Sequence, residues 1–160
     1  MSALEPSGAP PPLASTADLF LIGDQSIDLP RLLDSVFDPS LGGVAVFLGR
    51  VRSPNAGVSV RYLEYEGYEE LALKVLAAIA DELRERHGPS RWALQHRLGR
   101  LVPGEVSLAV VVATAHRAAA FDACEQAVEE CKRRLPVWKL EVTEQGSRFV
   151  PGTATASSTL

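Results

Sequence analysis

Cysteine, histidine and lysine are scarce in this chain, and each scarcity narrows the chemistry. The 160 residues include two cysteines, Cys124 and Cys131. Seven residues apart on a helical stretch, their Cα atoms lie roughly 10 Å apart, too far for a disulfide. With only three histidines beside them, they argue against a structural zinc site. Both read as small buried apolar side chains in a reducing compartment. No segment approaches the ~20 consecutive apolar residues of a membrane span; the best run, Leu108 to Ala115, is short and Val-rich, as a buried strand is. The amino terminus has no basic stretch leading into an apolar one, so no secretory signal is expected and a cytoplasmic location follows. Nucleotide-binding signatures are absent too, since Gly42, Gly43 and Gly49 form neither a GxGxxG nor a P-loop. There is no GxSxG elbow. A net charge of −4 excludes a molecule drawn as a whole to nucleic acid, so any anion site must be a local cluster of basic residues.

What is present fits one ordinary globular domain. The 46% hydrophobic and 22% charged residues suffice for a core without staples. Residues 1–16 are rich in Pro, Ala, Ser and Gly and read as a disordered leader, and 151–160 as a flexible tail. Residues 17–150 are left as the domain. Strands are expected from Leu19 to Ile22, Gly43 to Val51, Val58 to Glu66, Trp92 to Leu98, Val106 to Thr114 and Val137 to Thr143, with a last short one from Arg148 to Val150. A short helix from Leu29 to Phe37 has Asp28 as N-cap and Pro30 in its first turn. Glu69 to Arg86 is a helix with Leu71, Val75, Ile79 and Leu83 on its apolar stripe, stopped by Gly88-Pro89. Arg117 to Leu135 is another, closed by Pro136. Without regular βαβ alternation the fold class is α+β. The loop after the second strand holds Ser53, Pro54, Asn55 and Gly57, all turn formers, with Arg50 and Arg52 at its base.

At ~100° per residue the helix after Arg117 puts Phe121, Cys124, Val128, Cys131 and Leu135 on one stripe, which leaves both cysteines in the core rather than placed as nucleophiles. Lys132 falls at the border of that stripe, where it either pairs with Glu125 or Glu129 or serves a site. Lysine usage bears on the choice. Of 16 basic residues, only Lys74, Lys132 and Lys139 are lysine. Arginine stays protonated, whereas a desolvated lysine can lose its proton and act as base or nucleophile. Strand alternation puts Val137, Lys139 and Glu141 on one face and Trp138, Leu140 and Val142 on the other; the first face is either solvent or pocket. His116-Arg117 precedes a helix, where free N–H groups favour a phosphate or carboxylate; a plain cap with a surface arginine is the equal alternative. His96-Arg97, inside a strand, reads as structural.

Taken in order, FLGRVR (Phe47 to Arg52), LEYEGY (Leu63 to Tyr68), HRLGRLVPGE (His96 to Glu105), AHRAAAF (Ala115 to Phe121) and KRRLPVWKLE (Lys132 to Glu141) resemble the molybdopterin synthase large-subunit family from about Gly42 to Val150. The resemblance implies an α/β-hammerhead, an α+β fold. It implies a catalytic subunit that turns cyclic pyranopterin monophosphate into molybdopterin by installing two sulfurs as a dithiolene. Sulfur would come from the Gly-Gly thiocarboxylate of a small ubiquitin-like partner, in a heterotetramer built on a homodimer. No resident cofactor is implied: the phosphorylated pterin is substrate. By motif, Lys132 and Lys139 match the lysines associated with catalysis, and His116 and Arg117 the anion-binding pair. Arg50, Val51 and Arg52 match a segment lining the substrate pocket, and Leu140 and Glu141 extend the Lys139 segment. The chain departs from the family pattern at Leu140, often basic, at Gly67 of LEYEGY, commonly alanine, and in a tail without basic residues. Two other readings remain: a non-catalytic binding module that keeps the small-subunit interface, and an unrelated enzyme for a phosphorylated metabolite.

Overall fold

The computed structural model describes residues 17–150; the expected leader and tail lie outside the described residues. Eight strands and three helices are found among these: β1 (Leu19–Gly23), α1 (Leu29–Ser35), β2 (Gly43–Arg50), β3 (Val60–Gly67), α2 (Glu69–His87), β4 (Ser90–Arg97), β5 (Gly99–Leu101), β6 (Val106–Thr114), α3 (Arg117–Arg134), β7 (Val137–Thr143) and β8 (Gly146–Val150). They form two four-stranded sheets, ordered β1-β4-β6-β2 and β5-β3-β7-β8. The first is mixed, because β1 runs parallel to β4 while β4, β6 and β2 are antiparallel. The second is antiparallel throughout. This is the expected α+β class.

The Val-rich β6 is the spine. Leu108, Val110 and Val112 face the cluster beneath α2 and α3, while Ala109, Val111 and Ala113 face the cluster beneath α1. Helices cover both faces, so both sets of alternate residues are apolar and the strand reads as a continuous hydrophobic run. Val51, Val60, Leu63, Tyr65 and Leu101 make a smaller core for the second sheet. The N-cap expected at Asp28 is present, its Oδ1 accepting from the Arg31 N–H at 3.1 Å. No helix among the described residues is long and apolar enough to cross a membrane.

Several expectations needed correction. The core face of α2 is Ala72, Leu76, Ile79, Ala80 and Leu83, and Leu71 is 49% exposed. In α3 it is Ala120, Ala123, Cys124, Ala127, Val128 and Cys131, and Phe121 is 68% exposed. Small residues let α3 lie close to the sheet and to α2, so its buried stripe centres on Ala and Cys, while α2 sets Ala72 and Ala80 among Leu76, Ile79 and Leu83. Val58 does not begin a strand; it closes a tight turn with Asn55, each N–H bonding the other's carbonyl at 3.0 and 2.9 Å.

One close approach fixes the start of α3. A Cβ on Gly43 would lie 2.9 Å from the carbonyl carbon of His116 and 3.0 Å from the backbone nitrogen of Arg117. Those are backbone atoms and cannot rotate aside. Gly43→Ala is therefore expected to destabilise the fold by about 1–3 kcal/mol through overpacking, measured by urea unfolding. Unchanged stability would mean the α3 terminus shifts freely.

Candidate functional site

The two sheets meet at an open cleft of about 650 Å³. Its position follows from one turn. α3 ends at Leu135, whose extended backbone turns the chain into Pro136, and the Val137 N–H donates back to the Leu135 carbonyl at 2.7 Å. Lys132, in the last helical turn, and Lys139, third in β7, therefore stand on either side of a sharp corner and line the same cleft. The spacing of six intervening residues is thus a product of the corner.

The chain leaving β2 supplies the opposite wall. Val51 is 3% exposed; its N–H donates to the Glu105 carbonyl at 2.9 Å, and its own carbonyl accepts from the Gly104 N–H at 2.7 Å. With Val51 anchored inward, Arg50 and Arg52 on either side of it line the cleft. Four cations thus share one wall system, and no carboxylate lines it. Neither Lys132 nor Lys139 forms an ion pair among the described residues, whereas Lys74 pairs with Glu70 at 3.1 Å. Seven arginines outside the cleft are also ion-paired. The alternative pairing of Lys132 with Glu125 or Glu129 is not formed. Burial is the main reason that Lys139 titrates below an ordinary lysine; Glu141 opposes the shift, and the charges of Lys132 and Arg52 add to it.

The remaining candidates lie elsewhere. Val51 belongs to the core. Leu140 is on the far face of β7 from Lys139. Glu141 is 2% exposed and does not border the cleft. Its Oε2 accepts from Asn55 Nδ2 at 2.8 Å and its Oε1 from Arg148 Nε at 2.9 Å. Burial works against its charge, but these donors and the positive charges of Arg148 and Lys139 outweigh it and leave the carboxyl below its usual range. Asn55 Oδ1 accepts in turn from Arg52 at 3.2 Å, so Glu141 acts at one remove, through Asn55, on a cleft arginine. His116 and Arg117 are exposed at the other end of α3, roughly 22 Å from Lys132 along the helix. His116 occupies the N-cap position without a side-chain capping bond, and the pair does not reach the cleft of its own chain.

The cleft also holds residues that motif reading left out or took as structural. His96, read as structural, lines it beside Tyr65 and Ser107. The rings of Tyr65 and His96 meet edge to face, 5.2 Å between centroids. Alternation along β4 was the available signal: His96 shares a face with Trp92 and Leu94, which lie in the cluster beneath α2 and α3. A second, smaller hollow of about 310 Å³ opens between β2 and α3, with Phe121, Glu125, Glu129 and Lys132 among its lining residues.

An α+β domain with a small-molecule-sized cleft, rich in unpaired cations and free of carboxylates, defines an anion-handling protein with a titratable lysine. The comparisons give that class a family. Residues 22–134 match the family described as MoaE protein, and the chain belongs to it. Among curated relatives, the molybdopterin synthase catalytic subunit of Pyrococcus abyssi is 39% identical over 80% of this chain and 86% of its own. That of Halalkalibacterium halodurans is 38% identical over 84% and 86%. The crystal structure of molybdopterin synthase from Staphylococcus aureus superposes with a TM-score of 0.79 at 35% identity, covering 82% of this chain and 96% of that one. A complex of subunits 1 and 2 of the molybdopterin-converting factor from Helicobacter pylori, at 20% identity and a TM-score of 0.65, shares the fold.

Proposed function

We propose that this chain is the catalytic subunit of a molybdopterin synthase, a cytoplasmic sulfurtransferase acting on cyclic pyranopterin monophosphate. The convergence of Lys132, Lys139, Arg50 and Arg52 on one cleft carries the reading. Guanidinium groups hold the phosphate through charge-assisted hydrogen bonds. Lys139, with its lowered pKa, handles protons during sulfur attack and water loss, and Lys132 stabilises the charge that develops opposite it. The sulfur comes from outside. Cys131 at the cleft wall is 2% exposed and burial pushes its thiol up to about 12, so it stays protonated. A partner's Gly-Gly thiocarboxylate tail, itself an anion, enters the open cleft, and no resident cofactor is needed.

The same reading assigns His116 and Arg117 to the cleft of a second copy. β2 is an edge strand, and along this edge Val44 and Val46 of β2 and Phe121 of α3 are 51%, 42% and 68% exposed. A two-fold axis at that edge, perpendicular to β2 and α3, would run both elements antiparallel to their copies. It carries the α3 amino terminus of one chain towards the Lys132 end of the other, across the roughly 22 Å that separates them within one chain.

The test is an assay with the phosphorylated pterin and a thiocarboxylated small partner, in which dithiolene pterin is the expected product. No product despite complex formation on size exclusion would favour the non-catalytic binding module. Failure to capture the small partner at all would favour the unrelated anion-binding enzyme.

A further inference from the structure

The cleft described above is built almost wholly of donors. Arg and Lys carry no acceptor, and they supply its charge. Ser107 Oγ donates to the Gly49 carbonyl at 3.3 Å and is hydrogen-bonded to the Tyr65 hydroxyl, so these two groups largely satisfy each other. His96 is different. Its Nδ1 lies 2.7 Å from the Arg97 carbonyl. A carbonyl only accepts, so Nδ1 carries the hydrogen, and the neutral ring must then present a bare lone pair at Nε2. Nε2 has no hydrogen-bond partner among the described residues, yet the buried unpartnered side-chain atoms are only Gln95 Oε1 and Arg97 Nε. Nε2 is therefore open to solvent, on a ring that is itself 9% exposed and lines the cleft.

The surroundings keep the ring neutral. Tyr65 of β3 meets the ring edge to face, and Lys139 of β7, Arg50 of β2, Arg52 of the loop beyond, and Lys132 and Cys131 of α3 line the same cleft. These groups are cations or neutral hydroxyl and thiol, with no carboxylate to favour an imidazolium. Burial first, and then the charge of Lys139, hold its pKa below the ordinary histidine value, against the bond to Arg97.

We infer that His96 is the acceptor that orients the heterocyclic end of the substrate, its Nε2 receiving an N–H or O–H hydrogen from the ring while the cations hold the phosphate. The inference rests on the proposed function and adds to it a residue that reads the uncharged part of the ligand. An ionised cyclic phosphodiester has no hydrogen to give such an acceptor; a pterin, with its ring N–H groups, does.

Binding of cyclic pyranopterin monophosphate to the full chain, without sulfur donor, tests this by calorimetry. His96→Phe keeps the ring packing against Tyr65 and removes the acceptor. It is expected to weaken pterin binding about tenfold and to leave binding of inorganic phosphate at the same pH unchanged. His96→Gln, which offers an amide oxygen, should restore most of the loss. Wild-type pterin affinity should also fall as the pH drops through the depressed histidine range, where Nε2 gains a proton and ceases to accept, and that acid limb should be absent from His96→Gln. Equal pterin affinity in wild type and His96→Phe overturns the inference, as does an acid limb that persists in His96→Gln. A wild-type chain that binds no pterin overturns the functional proposal itself, a distinguishable failure.

Discussion

Replacing Lys132 by alanine is expected to lower kcat of the assembled synthase by about 10²–10⁴-fold and to leave its unfolding midpoint where it was. The two halves of that expectation come from the same observation. Lys132 is exposed and has no ion pair among the described residues, so its removal leaves no group unsatisfied and changes stability by no more than about 0.5 kcal/mol. A cation in the last turn of a helix interacts favourably with the carbonyl end, but Arg133 and Arg134 occupy that turn as well. Lys132 lines a cleft without a single carboxylate, although Glu125 and Glu129 border the smaller hollow it also lines, and in the cleft a fixed charge acts on an anion in a partly dry site. Lys132→Arg separates two roles. Arginine keeps the charge and cannot give up its proton, so rescue assigns an electrostatic role, and no rescue assigns proton handling. Lys74→Ala is the control, since that side chain is a solvent-exposed ion-pair member. Single-turnover formation of the dithiolene pterin measures the effect; activity within tenfold of wild type for Lys132→Ala would remove this lysine from the mechanism.

Some of this architecture was legible in the sequence, and the reason differs by element. β6 and β7 matched from end to end, Val106 to Thr114 and Val137 to Thr143, because an apolar run between turn formers and a strict alternation after proline leave little choice. β5 was invisible: three residues with Arg100 in the middle have no period, and only pairing with Leu63, Glu64 and Tyr65 of β3 makes them a strand. The helices were placed correctly, and Ile79, Leu83, Cys124, Val128 and Cys131 of their expected stripes are buried. Reading the bulkiest apolar residues as the core put Leu71 and Phe121 inside, whereas alanine supplies five of the eleven buried positions of α2 and α3. In the cleft, the corner at Leu135-Pro136 made the lysine pair readable as a motif, and the alternation around Val51 made Arg50 and Arg52 readable as neighbours. What could not be read was the depth of each side chain. Glu141 shares a strand face with Lys139, yet one is sealed against Asn55 and Arg148 and the other borders the cleft. His116-Arg117 shows a second limit: the motifs group the pair with the cleft residues, yet both stand exposed at the far end of α3.

Lys139→Met is expected to reduce turnover by a factor similar to Lys132→Ala and, unlike it, to make the protein more stable at pH 7. The sign follows from linkage. Burial lowers the folded-state pKa of Lys139 below the ordinary lysine value of 10.5. Between the folded and unfolded values the unfolded chain binds the proton that the folded chain has released, so stability rises with pH across that window. Below the window the folded state carries the full penalty of a partly buried ammonium, and methionine removes it while filling a similar volume. A gain of about 0.5–2 kcal/mol is the usual scale for removing a functional strain. Glu141 loses a favourable charge in the variant but retains its bonds from Asn55 and Arg148, which limits the offset. The gain should therefore be largest at neutral pH and shrink as the pH approaches that of an unperturbed lysine, read by urea unfolding at pH 7 and pH 10. The same protonation equilibrium must appear in catalysis: if the neutral amine is the working form, wild-type kcat/KM climbs with pH below 10.5, and Lys139→Met has no such limb. A variant that is less stable at pH 7, or one that keeps the limb, would mean that the charge of Lys139 is compensated in the fold and that the proton is handled elsewhere.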